Sequence, residues 1–416
     1  MVAAFLVAYL LVVLADLALD LVNLAHLRRH GSDVPPELEG YVDAAILART
    51  EAYHTERTGL GIVSSATTTL ATVLFLFTGA VALYDGWIAT LAESFIGRGM
   101  LFFLGLTLAG VLLGVPFSLW SNFVIEERYD FNRKTFRIWL GDQGKSLALS
   151  ALLVAGLAGS ALAFLQRFPE TWWLWFWGFF LVFQLAMLFL APWILRLFFR
   201  FKPLEGREAL REAVRNLAKE AGIRVKGIFQ VDSSRRTSHT NAFFTGLGSS
   251  KRIALFDTLL AKLEDDEILA VLAHEMGHWR KRHGLKRLGV TAMLSLAGLF
   301  VASQLLVWGG LGGLIGLPEA SVYVELVVLS LLNTIVTFPL EPLRSAFSRR
   351  NEREADRIAS SLTGKPSAMA SALAKLSRDN LSNLHPHPLY AWFHLSHPPD
   401  PERIGALRDE KGNGDA

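Results

Sequence analysis

The stretch Asp265-Asp266-Glu267-Ile268-Leu269-Ala270-Val271-Leu272-Ala273-His274-Glu275-Met276-Gly277-His278-Trp279-Arg280-Lys281-Arg282 reads as one helix that carries a metal-binding face. Ile268, Leu269, Val271 and Leu272 supply an apolar stripe. The acids Asp265 to Glu267 stand at the positive end of the helix dipole, and Arg280, Lys281 and Arg282 at the negative end, ahead of Gly284. His274 and His278, four residues apart, share a helix face, so both imidazoles can grip one cation with Glu275 beside the open coordination position. A chain of this length would show H-E-x-x-H by accident about once in a hundred, which favours the metal over a helix with two buried histidines. Asp257 and Asp265 read as the N-caps of two successive helices.

Outward from this helix the sequence turns apolar. Of 416 residues, 52% are hydrophobic and 19% charged, against roughly 25% charged in soluble chains, and the mean hydropathy is +0.35. Seven segments reach the length of about 20 residues that a membrane helix needs: 4–24, 62–84, 100–121, 147–165, 172–199, 288–314 and 322–340. The first has neither a basic leader nor a small-residue cleavage site, so it reads as an anchor. The 41 Lys and Arg against 38 Asp and Glu leave only +3, too little to attract nucleic acid. With no cysteine, disulfides, thiolate metal sites and cysteine nucleophiles drop out, and any metal must be held by His, Asp or Glu.

Lys and Arg alternate across the connections: Arg28, Arg29, Arg49 and Arg57 follow the first span, Arg98 stands almost alone after the second, and Arg128, Arg133, Lys134, Arg137 and Lys145 follow the third. The pattern continues to Arg344, Arg349 and Arg350 after the seventh. By the positive-inside rule the N-terminus lies outside and the C-terminus in the cytosol. The expected architecture is mainly α and multi-pass. Membrane helices occupy 1–200 and 288–340, an α+β part occupies 201–287, and residues 341–416 complete it on the cytosolic side. Within the insert the patterning predicts a helix at 207–221, strands at 227–231, 241–245 and 252–256, and a loose tail from about Asp409.

A catalytic metal needs a third protein ligand and one open position. Just past the last span, Glu352 and Asp356 stand four apart in Asn351-Glu352-Arg353-Glu354-Ala355-Asp356. On one face, Glu352 can close the site while Asp356 accepts the second N–H of a ligating histidine and fixes its tautomer. Glu354, two residues along, falls on the opposite side and reads as a solvated charge.

Together with blocks far from the helix, these residues resemble the integral-membrane zinc metalloprotease family of Ste24, or CAAX prenyl protease 1. The blocks are Glu126-Glu127-Arg128-Tyr129-Asp130-Phe131-Asn132, Arg235-Arg236-Thr237-Ser238-His239-Thr240-Asn241-Ala242-Phe243-Phe244 and Lys251-Arg252-Ile253-Ala254-Leu255-Phe256-Asp257-Thr258. The resemblance implies seven helices enclosing a water-filled chamber capped by a cytosolic zincin-like domain. It implies Zn2+ on His274, His278 and Glu352, with Glu275 catalytic and Asp356 behind the ligands. It also implies that His397 steadies the oxyanion, and that Asn241 lies with Ala242 and Phe243 on an edge strand facing the peptide. Arg403, in the block of His397, is either structural or site-lining. Asp130 stands where relatives often have glycine.

The expected partners are membrane lipids and a membrane-anchored or prenylated polypeptide, with no nucleic acid, and the expected residence is a bacterial plasma membrane. Three rivals share parts of the pattern. A heat-shock-type quality-control protease has the same motif with fewer spans, and a site-2-type protease carries its motif inside an apolar span, unlike the charged flanks here. An ion transporter draws support only from Asp16, Asp20 and Asn23 on one face of the first span, which a wet chamber wall also explains. Trp172 to Trp177 read as an interfacial belt, Gly110 and Gly114 as a helix-packing pair, and Pro192 as a kink.

Overall fold

A computed structural model describes residues 1–245 and 251–412. In chain order its helices are α1 (Val2–His30), α2 (Ala44–Phe77), α3 (Ala80–Leu91), α4 (Phe95–Trp120), α5 (Glu126–Arg128), α6 (Phe136–Arg167), α7 (Trp172–Phe198), α8 (Glu208–Glu220), α9 (Asp257–Lys262), α10 (Asp265–Arg280), α11 (His283–Trp308), α12 (Val322–Thr337), α13 (Glu341–Thr363), α14 (Pro366–Asp379), α15 (Pro388–His394) and α16 (Asp400–Gly412). The strands are β1 (Phe201–Pro203), β2 (Gly227–Val231), β3 (Ala242–Thr245) and β4 (Arg252–Phe256).

Among the described residues, seven helical runs are long and apolar enough to cross a membrane, as the hydropathy predicts: α1, α2, α4 with its continuation to Arg128, α6, α7, α11, and a run from Val322 to Thr363 that joins α12 to α13. Val182, Met293 and Val307 are largely exposed on α7 and α11, which suits a lipid-facing surface rather than a watery one. The expected second span is two helices, because the chain breaks at Thr78 and Gly79, whose φ of +85° only glycine adopts freely. Gly110 and Gly114 do not form a packing seam, since a Cβ at either would meet nothing within 4 Å. The helix α16 runs on to Gly412, past the start of the expected loose tail; residues 413–416 lie outside the described residues.

The sheet has the order β1-β2-β4-β3, with β2 and β4 parallel and both outer pairs antiparallel, so β3 is an edge. The pattern located β2 and β4 as they stand, but not the three-residue β1. Leu210, Val214 and Leu217 of α8 close one core with Ile253, Leu255, Ile268, Leu272 and Met276. The caps differ from expectation. Glu264, not Asp265, caps α10 in a reciprocal box with Glu267, while Asp257 opens α9 as its first residue and accepts from Ser234 N and Thr258 N.

Two of the blocks singled out in the sequence meet in space. Tyr53 Oη donates to Glu126 Oε1 (2.8 Å), His239 stacks on Phe131 at 4.1 Å, and Ser238 N donates to the Phe131 carbonyl (3.1 Å). The chain leading into β3 is thereby fastened to the connection after α4. Asp130 has φ +62°, a left-handed conformation that glycine adopts without strain and that Asp tolerates better than most residues.

A backbone-to-backbone helix contact positions the site. A Cβ built on Gly277 of α10 would sit 3.0 Å from Ala355 Cα and 3.1 Å from Ala355 O on α13. Those neighbours are backbone and cannot swing aside. Gly277→Ala should therefore force the helices apart; overpacking of about 1–3 kcal/mol exceeds the gain of up to about 1 kcal/mol in helix propensity. Thermal melts and metal content of the purified variant should both fall, and a variant equal to the parent in both would show that the seam has slack.

Candidate metal centre

His274, Glu275 and His278 lie on α10, and Glu352 and Asp356 on α13, between them the two helices of the Gly277–Ala355 contact. Among the described residues, His274, His278 and Glu352 are the group whose ligand atoms all fall within 4.8 Å of one another. The separations are short and even, with the two imidazoles meeting different oxygens of the Glu352 carboxylate. His274 Nε2 lies 3.2 Å from His278 Nε2 and 3.3 Å from Glu352 Oε2, and His278 Nε2 lies 3.4 Å from Glu352 Oε1. A tetrahedral cation with bonds of about 2.0–2.1 Å sets its ligands roughly 3.3 Å apart, so the donor set and its spacing fit one. Glu352 Oε2 is buried and has no hydrogen-bond partner, as a ligand atom waiting for a cation would be.

The surroundings favour a positive charge at this point. Burial works against a charged His274, but the Asp356 and Glu352 carboxylates outweigh it and hold the imidazole up at about 9. His278 is pushed down to about 4, first by burial and then by His274. Behind His274, Asp356 Oδ1 accepts from Nδ1 at 2.8 Å. Arg403 of α16, itself buried, donates Nε and Nη2 to the same carboxylate at 2.9 and 2.7 Å. Burial alone would raise the Asp356 carboxyl, yet these hydrogen bonds keep it well below the usual carboxylate range. Arg403 thus faces Asp356 rather than open space.

Glu275 is half-buried, and burial pushes its carboxyl up. His397 stands at the rim, 58% exposed, with Nε2 3.4 Å from Glu352 Oε2 and Nδ1 2.9 Å from Ser396 Oγ. Asn241 is exposed at the head of β3, where its carbonyl accepts from Phe256 N and its side chain accepts from Ala242 N. Ala242 is buried and Phe243 stacks edge-on against Phe256. The outer edge of β3 carries no strand among the described residues.

Glu354, expected as a solvated charge, is partly exposed and paired. Glu354 Oε1 pairs with Lys281 Nζ at 2.7 Å, and Oε2 meets His283 Nε2 at 3.0 Å. Lys281 first, then His283, hold its carboxyl down to about 2. Residue counting along α13 correctly turned Glu354 away from the metal face, but it ignored what stands on that other side. His283, which sequence reasoning passed over, lies five residues beyond His278 where Arg282, at φ +56°, turns the chain from α10 into α11. A third histidine this near the motif was the available signal.

The chain is similar to known proteins over most of its length. The family profile described as "CAAX prenyl protease N-terminal, five membrane helices" matches residues 23–200, and that of peptidase family M48 matches residues 205–411. The chain is 34% identical to the probable CAAX prenyl protease 1 of Schizosaccharomyces pombe over 81% of its own length and 76% of the relative's. It is 32% identical to the CAAX prenyl protease 1 homolog of Oryza sativa over 90% of each. It is 31% identical to the uncharacterized metalloprotease YhfN of Bacillus subtilis over 74% of its length and 72% of that chain. The crystal structure of Saccharomyces mikatae Ste24p superposes with a TM-score of 0.87 at 28% identity, covering 97% of this chain and 99% of that one. On the fold, the membrane helices and these relatives, the chain belongs to peptidase family M48 and is an integral-membrane metalloprotease.

Proposed function

We propose that the metal is zinc and that the enzyme is an endopeptidase for extended, membrane-anchored tails, with prenylated C-terminal peptides of the CAAX type as its substrate class. The observation that carries this reading is the even triangle of His274, His278 and Glu352 with Glu275 beside it on the same helix. The names of the relatives support the substrate class.

His274, His278 and Glu352 would hold the ion and leave a position open. When bound, zinc supplies a Lewis acid that polarises the scissile carbonyl. Glu275, its proton affinity raised by burial, accepts a proton from the attacking water and delivers it to the leaving amine. His397, beside Glu352 at the rim, donates to the oxygen on which negative charge develops. Asn241, Ala242 and Phe243 offer the edge of β3, which pairs with no further strand among the described residues, and there an extended peptide adds as a strand. Membrane lipids are the other partner.

Glu275→Ala should keep about one zinc per chain and lose roughly 100 to 10,000-fold in hydrolysis of a farnesylated CAAX-type peptide. His274→Ala, His278→Ala and Glu352→Ala should lose metal as well. Full metal content in Glu352→Ala would move the third ligand elsewhere.

The substrate reading has its own kinetic test. A prenyl chain far from the scissile bond contributes burial of at most about 0.8 kcal/mol per methylene, shared by ground and transition states. Removing the lipid should therefore raise KM more than it lowers kcat. An unchanged KM with turnover abolished would contradict this and point to lipid-gated positioning.

The alternation of Lys and Arg supports an external N-terminus and a cytosolic C-terminus. Tags at the C-terminus and near Arg133 should be protected from outside reagents, and tags near Gly86 and Gly313 labelled; the reverse pattern would invert the orientation. The expectation of a bacterial plasma membrane gains no support from relatives that are mainly eukaryotic.

A further inference from the structure

His283 is buried at the start of α11, with its Nδ1 2.9 Å from His278 Nδ1 and its Nε2 3.0 Å from Glu354 Oε2. Lys281 Nζ lies 2.7 Å from the other Glu354 oxygen. We propose that His283 and Glu354 are positioning residues that fix the tautomer and ring orientation of His278 through a line of hydrogen bonds ending on Lys281. The proposal rests on the reading of His278 as a metal ligand through Nε2.

The direction of every bond in the line follows from that one requirement. A neutral imidazole that gives its Nε2 lone pair to a metal carries its proton on Nδ1. Two Nδ1 atoms 2.9 Å apart need one donor and one acceptor. His278 Nδ1–H is then the donor and His283 Nδ1 the acceptor, so the His283 proton sits on Nε2. There it donates to Glu354, whose carboxylate has no proton of its own to compete. Lys281, a donor only, completes the line on the second oxygen. Run the other way, with His283 donating, the His278 proton would sit on Nε2 and block the ligand atom.

His274 is served by a shorter line of the same logic. Its Nδ1 meets Asp356 directly, and the cation behind that carboxylate is Arg403. Each ligating imidazole therefore backs onto a carboxylate held by its own cation. In the His278 line an extra imidazole spans the distance, because Glu354, two residues from both Glu352 and Asp356, leaves α13 on another side. The two lines also differ in exposure: Asp356 and Arg403 are buried, whereas the side chains of Glu354 and Lys281 are 29% and 44% exposed.

The test uses the full chain in detergent and reads zinc affinity by chelator competition, with the visible spectrum of the Co(II)-substituted protein as a report on ligand geometry. Outer partners of this kind are worth about 10 to 100-fold in metal affinity, so His283→Ala should weaken zinc binding by about that factor and alter the Co(II) spectrum. His283→Gln should recover much of the loss, since one amide can accept from His278 and donate to Glu354. Glu354→Ala should weaken binding in the parent but add nothing in the His283→Ala background, because it acts only through His283. That dependence, together with the rescue, separates positioning from a general loss of stability, and Glu354→Ala and His283→Gln carry the test if His283→Ala does not fold. Zinc affinity unchanged in His283→Ala, or an undiminished Glu354→Ala effect in that background, would overturn the proposal while His278→Ala still loses metal. Metal retained by His278→Ala would instead overturn the ligand reading on which it rests.

Discussion

Everything at the metal centre depends on how closely α10 and α13 approach at Gly277 and Ala355, where no side chain stands between them. The ligands come from both helices, which are separated in sequence by the membrane-crossing α11 and by α12, whose apolar run continues into α13. An even triangle of about 3.2 to 3.4 Å can be held only if the backbones are close and cannot slide. A packed seam supplies that rigidity, because interiors packed to crystal-like density resist small displacements. The membrane helices thus serve the site by delivering Glu352 to its partner helix.

Packing alone would leave an unfavourable concentration of buried acid. Buried Glu352 and Asp356, with half-buried Glu275, crowd two histidines. The structure offsets this with cations placed one layer out: Arg403 forks onto Asp356, and Lys281 meets Glu354 at the edge. Breaking a buried ion pair by removing one partner is strongly destabilising, so the buried Arg403 is part of the site's construction. What remains unneutralised points inward, at the place a cation would occupy, and the lifted proton affinity of His274 is the electrostatic sign of it.

Much of this was legible in the sequence, for physical reasons that differ by element. Membrane helices announce themselves because lipid demands long apolar runs, so all seven were found, although hydropathy could not see the break at Gly79, which is a matter of backbone geometry. The strands β2 and β4 were found from their apolar runs, while β1, three residues long, carries no periodic signal. The cluster of His274, His278 and Glu352 was legible because helical spacing puts ligands on one face. Its outer parts were not. The partners of Glu354 were missed because spacing tells which way a side chain leaves its helix and not what it meets, and His283 was missed because its partner on α13 is 71 residues away. His397 came from resemblance alone, since nothing in its spacing separates it from His385, His387 and His394.

The central claim is that one metal ion sits between α10 and α13, and anomalous diffraction at the zinc edge from crystals of the zinc-loaded protein tests it most directly. The account predicts a single strong peak about 2.0–2.2 Å from His274 Nε2, His278 Nε2 and a Glu352 oxygen, with Glu275 and His397 outside bonding distance. A peak ligated by His397 in place of Glu352, or one seated away from α10 altogether, would contradict it.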